Sequence, residues 1–333
     1  MGLLEPVREM TSPALDRALE KILALRADSA GNRAGESLRS LLSGVYHSAW
    51  PEVAWNFSRL TGDGFPLEFA FCSQDDEIRY TCEVAGPEVA SQDRLLCARN
   101  LFADRGVLTD ESVFGFLSGL QAAGPLSFGA WAGGRHGARE DSYKFYVECP
   151  DACSPLAFGR IAELAGGGDL LSTRGAALRI VGYEPSRSRL EFYFKTEGLE
   201  PWEVILLLRR FGLEGRQAEL FDLLGESWGK PVRDRLPSHS AGFSFAVPQD
   251  GGPIGFSLHF YARSVFGGDG RIRRRVLEIA GRMGWNFDAY AAVTEPLCAR
   301  DEVATFHGIV SFSIAAGRER ALLLALRPPG ENC

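Results

Sequence analysis

Paired segments in which apolar and polar residues alternate constrain the fold of this chain more than any other feature of its sequence. The first pair runs from Phe65 to Glu83. Phe69 and Phe71 point to one side of its first strand and Glu68 to the other, and after an acidic turn Arg79 joins the polar side. Alternation with a period of two predicts a β-hairpin with one apolar and one polar face. Whether the polar face is exposed to solvent or enclosed decides what the chain can do.

Similar pairs recur roughly every 50 to 65 residues, with helical segments between them. The later pairs are LSFGAWA with SYKFYVECP, ALRIVGYEP with SRLEFYFKTEG, AGFSFAVPQ with IGFSLHFYAR, and a weaker pair, NFDAYAAVT with ATFHGIVSFSI. Amphipathic helices are predicted within residues 13–47 and at about 91–103, 110–122, 154–165, 200–212, 217–227 and 269–283. The repeated order predicts five units within one domain, residues 1–333. The units span about 13–84, 91–149, 154–195, 200–263 and 269–314.

Ten antiparallel strands of this kind need partners for both faces. The apolar face can pack under the amphipathic helices, which leaves the polar face to line an interior. A closed barrel satisfies this requirement because closure removes the exposed sheet edges. We therefore predict an α+β fold, a ten-stranded antiparallel β-barrel surrounded by α-helices. Its lumen should be wider than that of an eight-stranded barrel and should hold solvent and a ligand.

Composition and charge exclude several classes of function. The chain has 333 residues, 45% of them hydrophobic, and a net charge of −7, which argues against duplex nucleic acid or an anionic membrane as partner. No apolar run is long enough to span a bilayer, and MGLLEPVREM does not resemble a signal peptide. The seven scattered cysteines indicate reduced thiols rather than zinc sites or disulfides. We therefore expect a cytoplasmic protein.

The predicted inner face combines cations with tyrosines, as in Lys144-x-Tyr146 and in the equivalent pairs of two later strands, Tyr193-x-Lys195 and Tyr261-x-Arg263. Alternation places the members of each pair on one face, about 7 Å apart. Several cations around one cavity suit a diphosphate, and tyrosine rings can stabilise a carbocation. A carboxylate in the same lumen, Glu68, could accept a proton. A single alternating strand is more often a solvated outer face, but recurrence beside helices favours the enclosed arrangement.

Other motifs carry little functional signal. His259 and His307 are predicted to be hydrogen-bonded strand residues that line the lumen rather than catalysts. The Gly-rich stretches GAWAGGRHG, LAGGGD and QDGGP are interpreted as turns, because none has the strand and helix context of a phosphate-binding loop. No DDxxD motif that would hold a metal-bound diphosphate is present.

The arrangement resembles the aromatic prenyltransferases of the ABBA, or PT-barrel, fold, and most of all the dimethylallyltryptophan synthase type. In that family the first barrel strand carries a catalytic glutamate and the second a diphosphate-binding arginine. Glu68 and Arg79 match both in residue type and in placement. Lys144 and Tyr146 match the Lys-x-Tyr of the fourth strand. The resemblance covers about residues 15–315.

The sequence departs from the family pattern on the sixth and tenth strands and matches it on the eighth. On the sixth, Arg189 and Tyr193 keep the first and last positions of Arg-x-Lys-x-Tyr, whereas Glu191 replaces the lysine. Lys195 is the candidate to compensate. On the eighth strand, His259 and Tyr261 match the polar-x-Tyr pair. The tyrosine of the tenth strand has no clear counterpart, and His307 or Ser311 occupies that region.

The resemblance implies transfer of a dimethylallyl group from its diphosphate to an electron-rich aromatic acceptor, usually the indole of tryptophan. It implies no cofactor and no metal, although magnesium remains open, and it implies small-molecule partners. The implied roles are a catalytic Glu68, diphosphate-binding Arg79, Lys144, Arg189, Lys195 and Arg263, a cation shield of Tyr146, Tyr193 and Tyr261, and lumen-lining Thr81, Glu191, His259 and His307.

Three alternatives stay open at this point. A peptide side chain could be the acceptor, as in the cyanobactin prenyltransferases, which share this fold. The barrel could bind an amphipathic anionic small molecule without catalysis. The strands could instead form an open sheet whose polar face is simply wet.

Overall fold

The strands close into a barrel in the computed structural model, which describes residue 20 and residues 28–46, 57–165 and 176–329. The strands are β1 (Leu67–Cys72), β2 (Ile78–Glu83), β3 (Ala130–His136), β4 (Asp141–Glu148), β5 (Ala177–Glu184), β6 (Arg189–Glu197), β7 (Ser240–Pro248), β8 (Gly255–Tyr261), β9 (His307–Ala315) and β10 (Ala321–Leu326). Each strand is antiparallel to its neighbours in chain order, and β1 pairs with β10 to close the ring. The predicted ten-stranded barrel is confirmed.

Helices cover the outside of the barrel. They are α1 (Ser29–Leu41), α2 (Ser43–Tyr46), α3 (Arg94–Ala103), α4 (Glu111–Gln121), α5 (Ser154–Ala165), α6 (Pro201–Arg210), α7 (Gln217–Trp228), α8 (Ala262–Phe266), α9 (Asp269–Met283) and α10 (Asp288–Val293). The Asp110 side chain caps α4 by accepting hydrogen bonds from the backbone N–H groups of Ser112 and Val113. None of the described helices is long and apolar enough to cross a membrane.

The hydrophobic core lies between the outer barrel surface and the helices. The outward-pointing aromatic residues of the strands are fully buried there, among them Phe145, Phe192, Phe243, Phe256 and Phe312. Burying an aromatic side chain of this size stabilises the fold by about 1.5–3 kcal/mol. The apolar face thus points outward to the helices, as the alternation predicts, and the polar face points into the lumen.

A buried polar network fastens α1 to the barrel. The Tyr80 hydroxyl donates to Ser37 Oγ at 2.8 Å, and Ser37 Oγ lies 2.9 Å from the Tyr143 hydroxyl. Arg33 Nε of the same helix donates to the Asp141 carboxylate at 2.9 Å. The helix therefore reaches β2 and β4 through side-chain hydrogen bonds as well as apolar contact.

Two regions of the fold differ from the sequence prediction. NFDAYAAVT, predicted as a strand, contains α10, while ATFHGIVSFSI contains β9, and the last strand is the unpredicted ALLLAL of β10. The Gly-rich stretch interpreted as a turn contributes Gly133 and Gly134 to β3. Of the two helical segments predicted within residues 13–47, the first falls mainly outside the described residues.

Candidate active site

A cavity of about 460 Å³ occupies the barrel lumen. The short turns that join the strands of each hairpin surround one end of it, called here the turn end. The helical connections surround the other end. Side chains from the inner face of each strand line the cavity. They place a carboxyl group and a group of cations at different heights along the barrel.

Glu68 lies on the cavity wall on the side away from the turn end. Its register neighbour on β2 is Thr81, which also lines the cavity. Among the described residues, no hydrogen bond or ion pair reaches the Glu68 carboxyl group. Burial without compensating charge raises its pKa to about 8. The group is therefore mainly a neutral carboxylic acid at pH 7.

Space for Glu68 comes from a glycine on β9. A Cβ added to Gly308 would lie 2.3 Å from Glu68 Oε1, which is closer than nonbonded atoms can approach. The absence of a side chain at Gly308 therefore lets the carboxyl group occupy this part of the wall.

Cations gather at the turn end, and several of them lie beside carboxylates. Arg79 pairs with Asp75 and, at 2.9 Å, with Glu77. Arg189 Nη2 lies 2.7 Å from Glu184 Oε2. These contacts hold the guanidinium groups in place, and an anionic ligand must compete with the carboxylates for them.

Sequence reasoning missed further cations of this end, Arg135, Arg187 and Arg318, which also line the cavity. Arg135 lies on β3 with its Nε 3.2 Å from Glu77 Oε2. It belongs to the alternating series Trp131, Gly133, Arg135 on the inner face, a signal that was hidden when the glycines were interpreted as a turn.

Lys144 sits at the centre of the charged wall. Its Nζ lies 2.5 Å from Glu191 Oε2 and 2.8 Å from the Tyr193 hydroxyl. The same ammonium lies 4.9 Å from the ring centroid of Tyr146 and 5.2 Å from that of Tyr193. A Cβ on Gly182 would lie 2.4 Å from Lys144 Cε, so the glycine makes room for the lysine side chain. Two tyrosine rings and one cation thus form a compact cluster.

Glu191 is ionised in this cluster. Burial acts to raise its pKa, but the charges of Lys144 and Arg189, together with hydrogen bonds from Lys144 and Ser244, hold the pKa well below its usual range. The departure from the Arg-x-Lys-x-Tyr pattern therefore replaces a positive charge by a negative one that binds Lys144 directly.

His259 connects this cluster to the opposite wall. Its Nε2 lies 3.0 Å from Ser244 Oγ and its Nδ1 2.7 Å from Ser311 Oγ, while Ser244 donates to Glu191 Oε1 at 2.7 Å. The imidazole is also stacked on the Tyr193 ring at 5.8 Å. Burial lowers the pKa of His259 to about 4, so the ring is neutral at pH 7.

Trp131 is an aromatic residue of the cavity wall that sequence reasoning did not single out. Its indole Nε1 donates to Glu83 Oε1 at 2.9 Å, and Phe128 stacks on it at 3.8 Å. Glu83 also accepts from Arg94 Nη1 at 2.6 Å. These contacts fix the ring and leave its π surface as the part that can meet a ligand.

Four predicted residues lie away from the cavity wall. Lys195 is on the expected face of β6 but beyond the cavity, where it is exposed and pairs with Glu197 at 3.4 Å. Tyr261 is 51% exposed at the end of β8. Arg263 belongs to α8 rather than to a strand, and its guanidinium lies over the Tyr261 ring. These three side chains lie outside the cavity, so the predicted contacts of Lys195 and Arg263 with diphosphate and of Tyr261 with the cation are not formed by this geometry.

His307 is the fourth. It is buried with its Nδ1 2.7 Å from Asp269 Oδ1 and its Nε2 2.9 Å from the Tyr290 hydroxyl. This contact fastens α9 and α10 to β9. The prediction that His307 lines the lumen was wrong because hydrogen-bonding partners on those helices draw the ring away from the cavity.

The other predicted residues share the one cavity. They are Glu68, Arg79, Thr81, Lys144, Tyr146, Arg189, Glu191, Tyr193 and His259. Within the described ranges, no group of three or more His, Cys, Asp or Glu side chains could hold a metal ion.

Solved structures with the same fold exist at low sequence identity. The 6-dimethylallyltryptophan synthase from Micromonospora olivasterospora, solved in complex with DMASPP and Trp, is 21% identical, with 96% of this chain and 99% of that chain covered and a TM-score of 0.75. The 5-dimethylallyltryptophan synthase from Streptomyces coelicolor is 15% identical, with coverage of 93% and 94% and a TM-score of 0.71. AnaPT from Neosartorya fischeri is 15% identical, with coverage of 95% and 92% and a TM-score of 0.68.

No protein-family model matches the sequence, and no curated protein matches it. The structural comparisons establish that the chain has the PT-barrel fold over nearly its whole length.

Proposed function

We propose that this protein is an aromatic prenyltransferase, which transfers a dimethylallyl group from dimethylallyl diphosphate to an electron-rich aromatic acceptor, most simply the indole of tryptophan. One observation carries the proposal. A single cavity holds an uncompensated carboxyl group, Glu68, on one side and a cluster of cations at its turn end. The structural neighbours named above, two of them dimethylallyltryptophan synthases, support the same activity.

The cations at the turn end would bind the diphosphate. Arg79, Lys144 and Arg189 provide strand-borne donors, and Arg135 and Arg318 add charge nearby. Guanidinium groups suit phosphate oxygens because they can form two parallel hydrogen bonds. The diphosphate would displace the carboxylates that pair with these groups. Binding should therefore weaken as ionic strength rises.

The rings of Tyr146 and Tyr193 would shield the allylic cation. They flank the Lys144 ammonium now, so their π surfaces already face a positive charge. As the bond from the dimethylallyl carbon to diphosphate breaks, its electron pair leaves with the diphosphate. The rings then stabilise the cation and exclude water that would quench it.

Glu68 would hold the acceptor. Its pKa of about 8 leaves the group mainly protonated at pH 7, and the fraction that has released its proton to solvent is the form that binds the acceptor. The carboxylate can then accept a hydrogen bond from the N–H of an indole ring, which becomes more acidic as the ring attacks the dimethylallyl carbon. Glu68 thereby directs electron density toward the new carbon–carbon bond.

We also propose that protein cations, rather than a metal held by the protein, neutralise the leaving group. The described side chains supply guanidinium and ammonium groups at the turn end, and no cluster of three or more potential metal ligands accompanies them. Turnover should consequently persist when EDTA is added to the assay.

The test is incubation with dimethylallyl diphosphate and a panel of aromatics that includes L-tryptophan and tryptophan-containing peptides. Mass spectrometry should find a product larger by one dimethylallyl group, accompanied by released diphosphate. Tight binding of the diphosphate with no product from any acceptor would favour a binding protein instead. Product from peptides alone would move the acceptor to a peptide side chain.

Glu68→Gln isolates the proposed catalytic group. The substitution keeps the shape of the side chain but removes its ability to ionise, and product formation should fall by about 100-fold or more. Binding of dimethylallyl thiolodiphosphate should change little, because the cations lie at the turn end. Glu214→Gln, which alters an exposed carboxylate, is the matched control. Near-normal turnover by Glu68→Gln would refute the role given to Glu68.

A further inference from the structure

We propose that the proton which a carbon of the acceptor ring loses leaves through a relay of four hydrogen-bonded residues, Ser311, His259, Ser244 and Glu191. Ser311 is the residue of this relay that touches the ring. The inference rests on the proposed function and addresses a step that Glu68 does not perform. Attack by a ring carbon produces an arenium cation whose C–H proton must be removed to restore aromaticity. Glu68 is assigned to the ring N–H and cannot serve both protons at once.

Three hydrogen bonds join these four residues without a gap. Ser311 Oγ lies 2.7 Å from His259 Nδ1, His259 Nε2 lies 3.0 Å from Ser244 Oγ, and Ser244 Oγ lies 2.7 Å from Glu191 Oε1. Ser311, His259 and Glu191 line the cavity, whereas Ser244 is fully buried. Four neighbouring strands, β6 to β9, each contribute one residue, so the relay runs along the barrel wall from β9 to the charged cluster around Lys144.

The donor and acceptor of every hydrogen bond in the relay follow from the ionised state of Glu191. Glu191 is ionised beside Lys144 and Arg189, so it can only accept, and the single Ser244 proton is committed to it. Ser244 must therefore accept from His259 Nε2–H. A neutral imidazole with hydrogen on Nε2 has a lone pair on Nδ1, and Ser311 donates to it. The lone pairs of Ser311 Oγ then remain for a ligand in the cavity.

This polarity moves a proton from the ring toward the turn end. The carbon–oxygen bond of the donor breaks first and its electron pair leaves with the diphosphate, and a π pair of the ring forms the new carbon–carbon bond. The ring C–H bond then breaks, its electrons return to the ring, and the proton goes to Ser311 Oγ. The Ser311 proton passes to His259 Nδ1, the Nε2 proton to Ser244, and the Ser244 proton to Glu191.

Glu191 lies against Lys144, which is assigned to the diphosphate. The released diphosphate is more basic than this carboxylate and can carry the proton out of the cavity. The lowered pKa of His259 does not obstruct the step, because an arenium cation is a far stronger acid than an imidazolium.

A second pair of cavity serines provides an internal control. Ser257 Oγ and Ser313 Oγ lie 2.7 Å apart and hydrogen-bond to each other. Ser257 pairs in register with Ser244, Ser313 lies two residues after Ser311 on β9, and both Ser257 and Ser313 line the cavity. No titratable group belongs to this pair among the described contacts, so its removal should not slow proton transfer.

The kinetic test compares a normal acceptor with one deuterated at the ring carbon that is prenylated. In the wild-type enzyme, C–H cleavage should be fast and the isotope effect on kcat close to one. His259→Gln can still bridge the two serines but cannot accept a proton. It should lower kcat by about 100-fold and raise the isotope effect clearly above one. Ser311→Ala and Ser244→Ala should act in the same direction, whereas Ser257→Ala should leave the isotope effect at one.

Binding of dimethylallyl thiolodiphosphate, measured for every variant, separates a folding defect from a chemical one. A His259→Gln enzyme that keeps wild-type kcat and an isotope effect of one would overturn the relay. So would an isotope effect that rises equally in Ser257→Ala.

A spectroscopic test does not depend on turnover and separates failure of the relay from failure of the proposed function. The chain has five histidines, so ¹⁵N NMR can identify the His259 ring nitrogens by the signals that disappear in His259→Gln. We expect a neutral ring with hydrogen on Nε2 at pH 7. Hydrogen on Nδ1, or an imidazolium, would overturn the relay even if the protein proves to be a prenyltransferase. If no acceptor is prenylated, the proposed function is wrong, and the proposal that this relay removes a proton from the acceptor ring is wrong with it.

Discussion

Isolation of a single carboxyl group is the most informative feature at the scale of residues. Glu68 has lost most of its water without gaining a charged partner, and this raises its pKa to about 8. Glu184 and Glu191 show the opposite case, because cations compensate for their burial and hold their pKa values below the usual range. The same residue type thus has two ionisation states in one cavity, set by its neighbours.

The raised pKa makes a prediction about rate. If ionised Glu68 is required in the free enzyme, kcat/KM should rise with pH and level off above about 8. The binding of dimethylallyl thiolodiphosphate over the same pH range is the control, since it reports on the turn end alone. A kcat/KM that is already constant from pH 6 upward, with unchanged binding, would contradict a free-enzyme requirement for ionised Glu68.

Gly308→Ala tests the space that Glu68 occupies. The new Cβ would lie 2.3 Å from Glu68 Oε1, so the carboxyl group has to move. Displacing a catalytic group by about 1 Å should lower kcat/KM by roughly 10- to 100-fold. Gly281→Ala on α9 is the matched control because its Cβ would meet no atom within 4 Å. Equal activity of both variants would show that the carboxyl position is not critical.

Alternation of residue types accounts for what could be predicted at the scale of elements. It succeeds for β1, β2, β4 and β6 to β8, where the large apolar residues point mainly to the helices and the charged ones to the lumen. It fails in part for β5, where the register shifts and the apolar Ile180 lines the cavity. It fails for β10, because the inward-facing Ala321, Leu323 and Ala325 are apolar too. It fails for β3, where Gly133 and Gly134 interrupt the pattern, and α10 is too short to reveal a helical period.

Alternation also explains why only part of the candidate site could be predicted from the sequence. Alternation gives the face on which a strand residue lies, but the height along the barrel depends on the register between strands. Lys195 lies on the correct face of β6 and yet extends beyond the cavity, and Tyr261 does the same at the end of β8. The ion pairs of Lys144 and Arg189 were also outside the reach of sequence reasoning, because they join residues on different strands or across a turn.

The attachment of α1 makes a prediction about stability. Ser37 is fully buried and bonds to the hydroxyl groups of both Tyr80 and Tyr143. Ser37→Ala leaves these groups with fewer partners and should lower the free energy of unfolding by about 1–3 kcal/mol. Urea denaturation measures the change, and the exposed Glu36→Ala on the same helix should stay within about 0.5 kcal/mol of wild type. An equally small effect of both would mean that apolar contact alone holds α1.

For the whole molecule, Glu68 links stability to pH. Its pKa rises from the ordinary 4.5 to about 8 on folding, so the folded state binds more protons between these values. This contribution to stability is complete at low pH and is lost as pH rises through the window, by at most about 1.4 kcal/mol per pH unit. Above about pH 8 the loss should level off.

The measurement is the free energy of unfolding of wild type and Glu68→Gln between pH 5 and 9. Other groups titrate equally in both proteins, so their difference isolates Glu68. Stability of the wild type should fall relative to the variant as pH rises. A constant difference across the range would indicate that the cavity hydrates the carboxyl group.

Closure of the barrel also sets the order in which the site can come into existence. Ala70 pairs with Ala325 across the β1–β10 junction, and Gly308 beside Glu68 belongs to β9. During synthesis Glu68 leaves the ribosome well before β9 and β10, which carry these neighbours. Until then the growing sheet has two unpaired edges that could pair with another chain. Contacts so distant in sequence form slowly, and we expect catalytic competence to appear only after β9 and β10 have been synthesised and have paired with their neighbours.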